Sequence, residues 1–299
     1  MTLKDIAYVE NKLDWLEESK IWPNGLRHLC TDAFGLVLYV SLFLATEKAV
    51  YMIKAESLVD EVYRVLGREK GLRIGEEEDQ DGQYYHYLVM WIFALYCLGK
   101  IKPEYKIVAV NLAKTIHSPF VRSGQGVIWK MTEDLKAPYP GYGLGAMGAF
   151  NGYVVYKLLD ESIFTKEIHE LFQLVSHSYE TLSIDQDLGM MLWLVHFYPE
   201  EDWAICQKKK SLDQLEKLWV SVPGYFCRQQ GNSTPRFAFT NYGTSLGLQA
   251  NAIWPQRVQR INRYFEGYKS RDEYDVNAIT HVMACTSHFP GLFIRGYNK

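Results

Sequence analysis

Charge is scarce in this chain. Asp, Glu, Lys and Arg make up only 22% of it, against 48% hydrophobic residues, which excludes a disordered chain and allows a sizeable core. The charges nearly cancel, at −3, so the basic excess that a nucleic-acid partner requires is missing. Cysteine is sparse as well. Cys30, Cys97, Cys206, Cys227 and Cys285 are scattered, odd in number and never in a CxxC or Cys/His spacing. That pattern argues against zinc and for reduced, mostly buried thiols in a cytoplasmic protein. A Gly-rich nucleotide loop after a strand and a GxSxG elbow are both absent, so no cofactor is expected. The longest apolar run, Ala33 to Ala45, is short for a bilayer and reads as a buried helix, so no membrane partner is expected. The opening MTLKDIAYVENKLDWLEESK is amphipathic and acidic, unlike a signal or transit peptide.

Long β-branched runs, Pro/Ser-rich linkers and low-complexity stretches are missing too. The charged run Arg68 to Asp81 and the Gly/Pro-rich run Ala137 to Gly148 read as loops, because hydrophobic segments continue unchanged on both sides. The 299 residues are therefore read as one domain, 1–299.

What is present is an alternation of two kinds of helix. Apolar stripes at helical spacing occur at Ile6, Val9, Leu13 and Leu16, and at Leu58, Val62, Val65 and Leu66. They recur from Phe164 to Tyr179 and at Val258, Ile261, Phe265 and Tyr268. Between them lie segments apolar nearly all round: Phe34 to Ala45, Leu88 to Leu98, Gly189 to Tyr198 and Ser245 to Ala252. A helix apolar on every side must be buried on every side. About twelve helices, paired inner with outer at roughly fifty residues per pair, predict an all-α (α/α)6 toroid of six helical hairpins. An α-solenoid has the same alternation, but no repeated sequence signature accompanies it here.

Polar segments precede the apolar helices. Asp79-Gln80-Asp81-Gly82-Gln83-Tyr84-Tyr85-His86-Tyr87 leads into the helix of Trp91. Asp81 reads as a helix cap, and Asp79 and His86 as a carboxylate and an imidazole at a pocket rim or as an ordinary loop acid and core histidine. Gly145 to Tyr153 contains Asn151, an equally good N-cap, in glycines that let backbone approach a ligand. Ser183 to Gly189 carries Asp185 and the capping candidate Asp187, ahead of Trp193 and His196. Arg236 to Gly243 carries Arg236 and Tyr242, the arginine serving as an ion-pair partner or a ligand clamp. Trp129-Lys130-Met131 and Ser287-His288-Phe289-Pro290 are weaker signals, and Glu76-Glu77-Glu78 reads as a solvated loop face.

These segments resemble a group of uncharacterised proteins in the six-hairpin glycosidase-like superfamily. The group's pattern runs Asp-x-Asp-Gly-Gln-Tyr-Phe-His-Tyr-Leu, Trp-Lys-Met, a Met-Gly-x-x-Asp-Pro-x-Asp-Gly turn, Thr-x-Asp-x-Leu-Gly, Arg-Leu-Ala-Phe and Ile-Thr-x-Val-Met. Here it is matched at Asp79, Asp81 to Tyr84, His86, Tyr87, Trp129 to Met131, Asp187 to Gly189, Arg236, Ala238, Phe239, Ile279, Thr280, Val282 and Met283. In the glycine-rich turn, Ala149 and Asn151 stand where the pattern is acidic. The resemblance implies the toroid but not glycoside hydrolysis, since fold does not fix function.

Three functions compete. A carbohydrate-processing enzyme would need two carboxyls roughly 5–9.5 Å apart. Asp79 or Asp81 would pair with Asp185 or Asp187, His86 would share the proton, and one acid would be held protonated by burial against Tyr84, Trp91 or Trp193. Tyr84, Trp91, Lys130, Asn151, Trp193, Arg236, Tyr242 and His288 would bind a saccharide or other small molecule. Asp81, His86, Asn151, Asp187, Arg236 and His288 would converge on one cavity at the starts of the inner helices. The alternatives are a biosynthetic cyclase or isomerase with an aromatic pocket, favoured by Asn151 and the Tyr and Trp content, and a non-catalytic binding protein.

Overall fold

The computed structural model describes residues 3–145, 147–182, 188–221, 226–227, 239–267 and 277–297. Twelve α-helices, five strands of two or three residues, two 3-10 turns and one π-helical turn make up the described secondary structure. The chain forms two compact units, Gly25–Tyr179 and Met1–Asn24 with Glu180–Lys299.

In the first unit three hairpins follow one another: α2 (Leu29–Thr46) with α3 (Ala49–Leu66), α4 (Tyr85–Gly99) with α5 (Pro103–Phe120), and α6 (Met147–Asp160) with α7 (Thr165–Ser178). The inner helices α2, α4 and α6 pack side by side, and α3, α5 and α7 lie outside them. Every residue of α2 from Leu29 to Leu42 is buried, as its all-round apolarity requires. At 18 residues this helix is long and apolar enough to cross a membrane, contrary to the expectation from the Ala33–Ala45 run, yet most of it is buried within the protein. Its first turn carries a buried ion pair, Arg27 to Asp32 at 3.1 Å.

In the second unit α8 (Leu188–Val195) pairs with α9 (Asp202–Ser221) and α10 (Thr244–Ala250) with α11 (Pro255–Glu266). The last inner helix, α12 (Ala278–His288), takes its outer partner from the opposite chain end, α1 (Leu3–Glu18). The amphipathic stripes behave as predicted: Val9, Leu13 and Leu16 of α1 and Val258, Ile261 and Phe265 of α11 are buried.

Two small antiparallel sheets decorate the first unit. β1 (Gln83–Tyr84) pairs with β4 (Lys130–Met131), in the register Gln83 to Met131 and Tyr84 to Lys130. β2 (Val121–Arg122), β3 (Gly126–Ile128) and β5 (Leu144–Gly145) form the other. The buried Gln83 side chain fixes the surrounding loops. Its Oε1 accepts from the Leu72 N–H at 2.9 Å, and its Nε2 donates to the carbonyls of Lys70 (2.5 Å) and Glu133 (2.7 Å).

Candidate active site

The β1–β4 pair joins two segments far apart in sequence, Asp81 to Tyr87 and Trp129 to Met131, at the start of α4. Gly82 makes the junction possible. Its φ of +75° is open to glycine, and a Cβ there would lie 2.7 Å from the Met131 carbonyl oxygen and 2.8 Å from Lys130 Cε. Lys130 therefore reaches back to Asp81, with Nζ 3.3 Å from Oδ1. The Tyr139 hydroxyl donates to Asp81 Oδ2 at 2.8 Å. The same ammonium lies 3.7 Å from the Tyr139 ring centre and 5.4 Å from that of Tyr142, within cation–π range. Lys130 is buried, its side chain 8% exposed, whereas Asp81 is 38% exposed.

Asp81 is thus no helix cap. The α4 cap position is Tyr84 and has no side-chain hydrogen bond, because the strand pair separates Asp81 from the helix. Partial burial pushes the Asp81 carboxyl up, but the hydrogen bonds from Tyr139 and Lys130 and the lysine charge prevail and hold it below its usual value. It is an ionised group at neutral pH, not a protonated acid. The ionised Asp81 in turn raises the Tyr139 phenol.

Aromatic rings surround this cluster. Trp129 and Tyr142 are 42% and 45% exposed, and Trp129 stands 6.3 Å from Tyr84. Trp129 lies over Gly145, where a Cβ would sit 1.2 Å from the indole Nε1. Tyr84 meets Tyr87 edge-on at 4.7 Å and His86 at 6.4 Å. Tyr87 meets His28 at 5.3 Å. Burial lowers His28 to about 4, so its ring is neutral at neutral pH, and among the described residues its buried Nδ1 has no hydrogen-bond partner.

The structure brings Asp81, Tyr84, His86 and Lys130 of the sequence candidates into one region and places others elsewhere. Asp79 is exposed on a 3-10 turn, Glu78–Gln80. Trp91 is completely buried within α4, and Trp193 within α8, where its Nε1 donates to the Phe293 carbonyl at 3.0 Å. Both are core residues, as is Tyr242, packed 5.0 Å from Phe265. Asn151 is no N-cap, because α6 starts at Met147 and puts it in the second turn. Its Nδ2 donates to the Met147 carbonyl at 3.0 Å, and its buried Oδ1 is without a partner among the described residues. His288 ends α12 rather than opening a helix, and lies 4.0 Å from the Tyr8 ring. Burial holds it neutral, at about 4, so its 3.4 Å approach to Glu266 is not an ion pair. Asp185, Asp187 and Arg236 lie outside the described residues. Sequence reasoning missed His28, Tyr139 and Tyr142 as partners of the site. Aromatics within the Gly/Pro-rich Tyr139–Gly145 run were the available signal for the tyrosines.

No family model matches this chain, and no curated protein sequence does so. Solved structures do. Cellobiose 2-epimerase from Spirochaeta thermophila DSM 6192 superposes with a TM-score of 0.63 at 12% identity, covering 89% of this chain and 86% of that one. A D-mannose isomerase gives 0.62 at 15% identity, covering 89% and 87%. The GH76A alpha-1,6-mannanase from Salegentibacter sp. HEL1_6 gives 0.62 at 11% identity, covering 89% and 90%. The chain shares the fold of these structures, an (α/α)6 arrangement of helical hairpins.

Proposed function

We propose that the chain is a carbohydrate-processing enzyme, a single (α/α)6 domain over 1–299 that takes a saccharide at the rim of Trp129, Tyr142 and Tyr84. The observation that carries this reading is the pairing of open aromatic faces with an ionised carboxylate, Asp81, anchored by Lys130 and Tyr139. Sugar rings present apolar C–H faces that stack on such rings, and their hydroxyls donate to carboxylates. The structural neighbours named for cellobiose, mannose and mannan are in keeping with it. The setting proposed is the cytoplasm, where unpaired thiols stay reduced.

In the hydrolase reading Asp81 is the ionised member of the carboxyl pair, acting as base or as stabiliser of positive charge at the anomeric carbon. Asp79, the alternative to Asp81 in that role, is exposed. A second reading, isomerisation or epimerisation, is favoured by His28. A neutral imidazole with a free nitrogen suits removal of a proton next to a carbonyl. One experiment tests both. Purified protein is incubated with mono- and disaccharides in D2O and followed by proton NMR. Release of new reducing ends supports hydrolysis, and deuterium entering C2 supports isomerisation or epimerisation. If no sugar reacts and none perturbs Trp129 fluorescence, the carbohydrate reading fails.

A further inference from the structure

The second unit carries a cationic surface that the proposed chemistry does not use. Helix α11 presents three arginines, Arg257, Arg260 and Arg263. Arg257 already has a carboxylate partner. It pairs with Glu216 at 2.6 Å and lies between Trp254 and Trp219, 4.0 and 4.9 Å from their ring centres. The other two differ. Arg260 lies 5.6 Å from the Trp219 ring, and neither Arg260 nor Arg263 has a carboxylate partner among the described residues. Both line a cavity of about 490 Å³, together with Gln256, Gln259 and Tyr264.

We propose that this face of α11 binds a tetrahedral oxyanion of the phosphate or sulfate class. Residues at 256, 259, 260 and 263 share one helix face, so two guanidiniums and two carboxamides converge on one volume. Two like charges three residues apart repel, and an anion between them removes that repulsion. Guanidinium forks match the oxygens of phosphate and sulfate, and primary amides add neutral donors. Among the described residues no acidic side chain lines the cavity. The Trp219 face leaves Arg260 little freedom to lose on binding.

Inorganic phosphate is the probe. Thermal unfolding of the full chain is followed at fixed pH in increasing phosphate, against sodium chloride of equal ionic strength. Binding to the native state raises the midpoint in a saturable way, by about 2 °C or more. The rise is expected to vanish in Arg260→Gln/Arg263→Gln and to persist in Arg64→Gln, a surface arginine of α3. No rise beyond the chloride control, or an equal rise in the double variant, overturns the proposal. Should the double variant not fold, Arg263→Gln alone and the arginine Nε–H signals of the unaltered protein serve instead. Phosphate must then shift two arginine signals, one of them absent in Arg263→Gln, and failure to do so overturns the proposal equally.

Discussion

The Lys130 ammonium lies 3.3 Å from a carboxylate oxygen of Asp81, across a strand pair that unites two distant stretches of the chain. The lysine is nearly buried and the aspartate is open, so the cation is structural and the anion faces outward. Replacing Lys130 by Met keeps the apolar stem and removes the charge. Asp81 then loses a cause of its lowered pKa, and its carboxyl moves back up. The expected result is a fall in turnover of about 10-fold or more, with the acid limb of the rate profile shifted to higher pH. Asp81→Asn should abolish that limb. The sign for stability is the usual one for a depressed carboxyl. Its contribution is present above the unfolded-state value and lost as pH falls through the lower folded value. Acid unfolding of Asp81→Asn should therefore begin from a lower plateau and be less steep. Identical profiles in all three proteins would contradict this arrangement.

Gly145 is predicted to control Trp129. A methyl at 145 would overlap the indole, at 1.2 Å from Nε1, and must displace the ring. Gly145→Ala should mimic Trp129→Ala in weakening saccharide binding, by about 10-fold if one sugar–aromatic contact is worth about 1.4 kcal/mol. Trp129→Ala itself should change the melting temperature little, because the side chain is 42% exposed. Intact affinity in both variants would remove Trp129 from the site.

His196 should make the protein acid-sensitive. Burial lowers it to about 4, against a weaker upward pull from its bond to the Trp193 carbonyl. Its Nε2 accepts from the Arg295 N–H at 2.9 Å and ties down the C-terminal segment. The unfolded state takes up its proton near pH 6.5 and the folded state only near 4, so stability falls as pH drops between them. The full effect is on the order of 3 kcal/mol, and His28 and His288 add slopes of the same sign. His196→Gln retains an acceptor and does not titrate. Urea unfolding of this variant between pH 7 and 4.5 should show a flatter dependence, and an unchanged slope would count against it.

Arg27 and Asp32 form the buried ion pair at the start of α2, with side chains 5% and 0% exposed. Asp32→Ala removes this carboxylate from a buried guanidinium, at a cost of about 3–5 kcal/mol. The Asp81 region should suffer with it, because the Arg27 N–H donates to Glu76 in the loop leading to β1. Chemical denaturation reads the first effect and saccharide binding the second. A loss under about 1 kcal/mol would show the pair to be dispensable.

The helical class, the inner and outer roles and the hairpin count follow from local apolar periodicity, which the sequence carries by itself. α2, α4, α8 and α10 were legible because an all-round apolar helix admits only a buried place. Asp81, Tyr84 and His86 were legible as a polar cluster opening such a helix. Their roles were not, because hydrogen-bond partners come from elsewhere in the chain. Asp81 was read as a cap, yet its partners are Lys130 and Tyr139, brought in by strand pairing. Trp91, Trp193 and Tyr242 resembled pocket aromatics because composition says nothing about which side of a helix faces a cavity, and tertiary packing sealed all three in the core. The same packing exposed Trp129 and Tyr142, since the space above Gly145 holds the indole only where glycine leaves room.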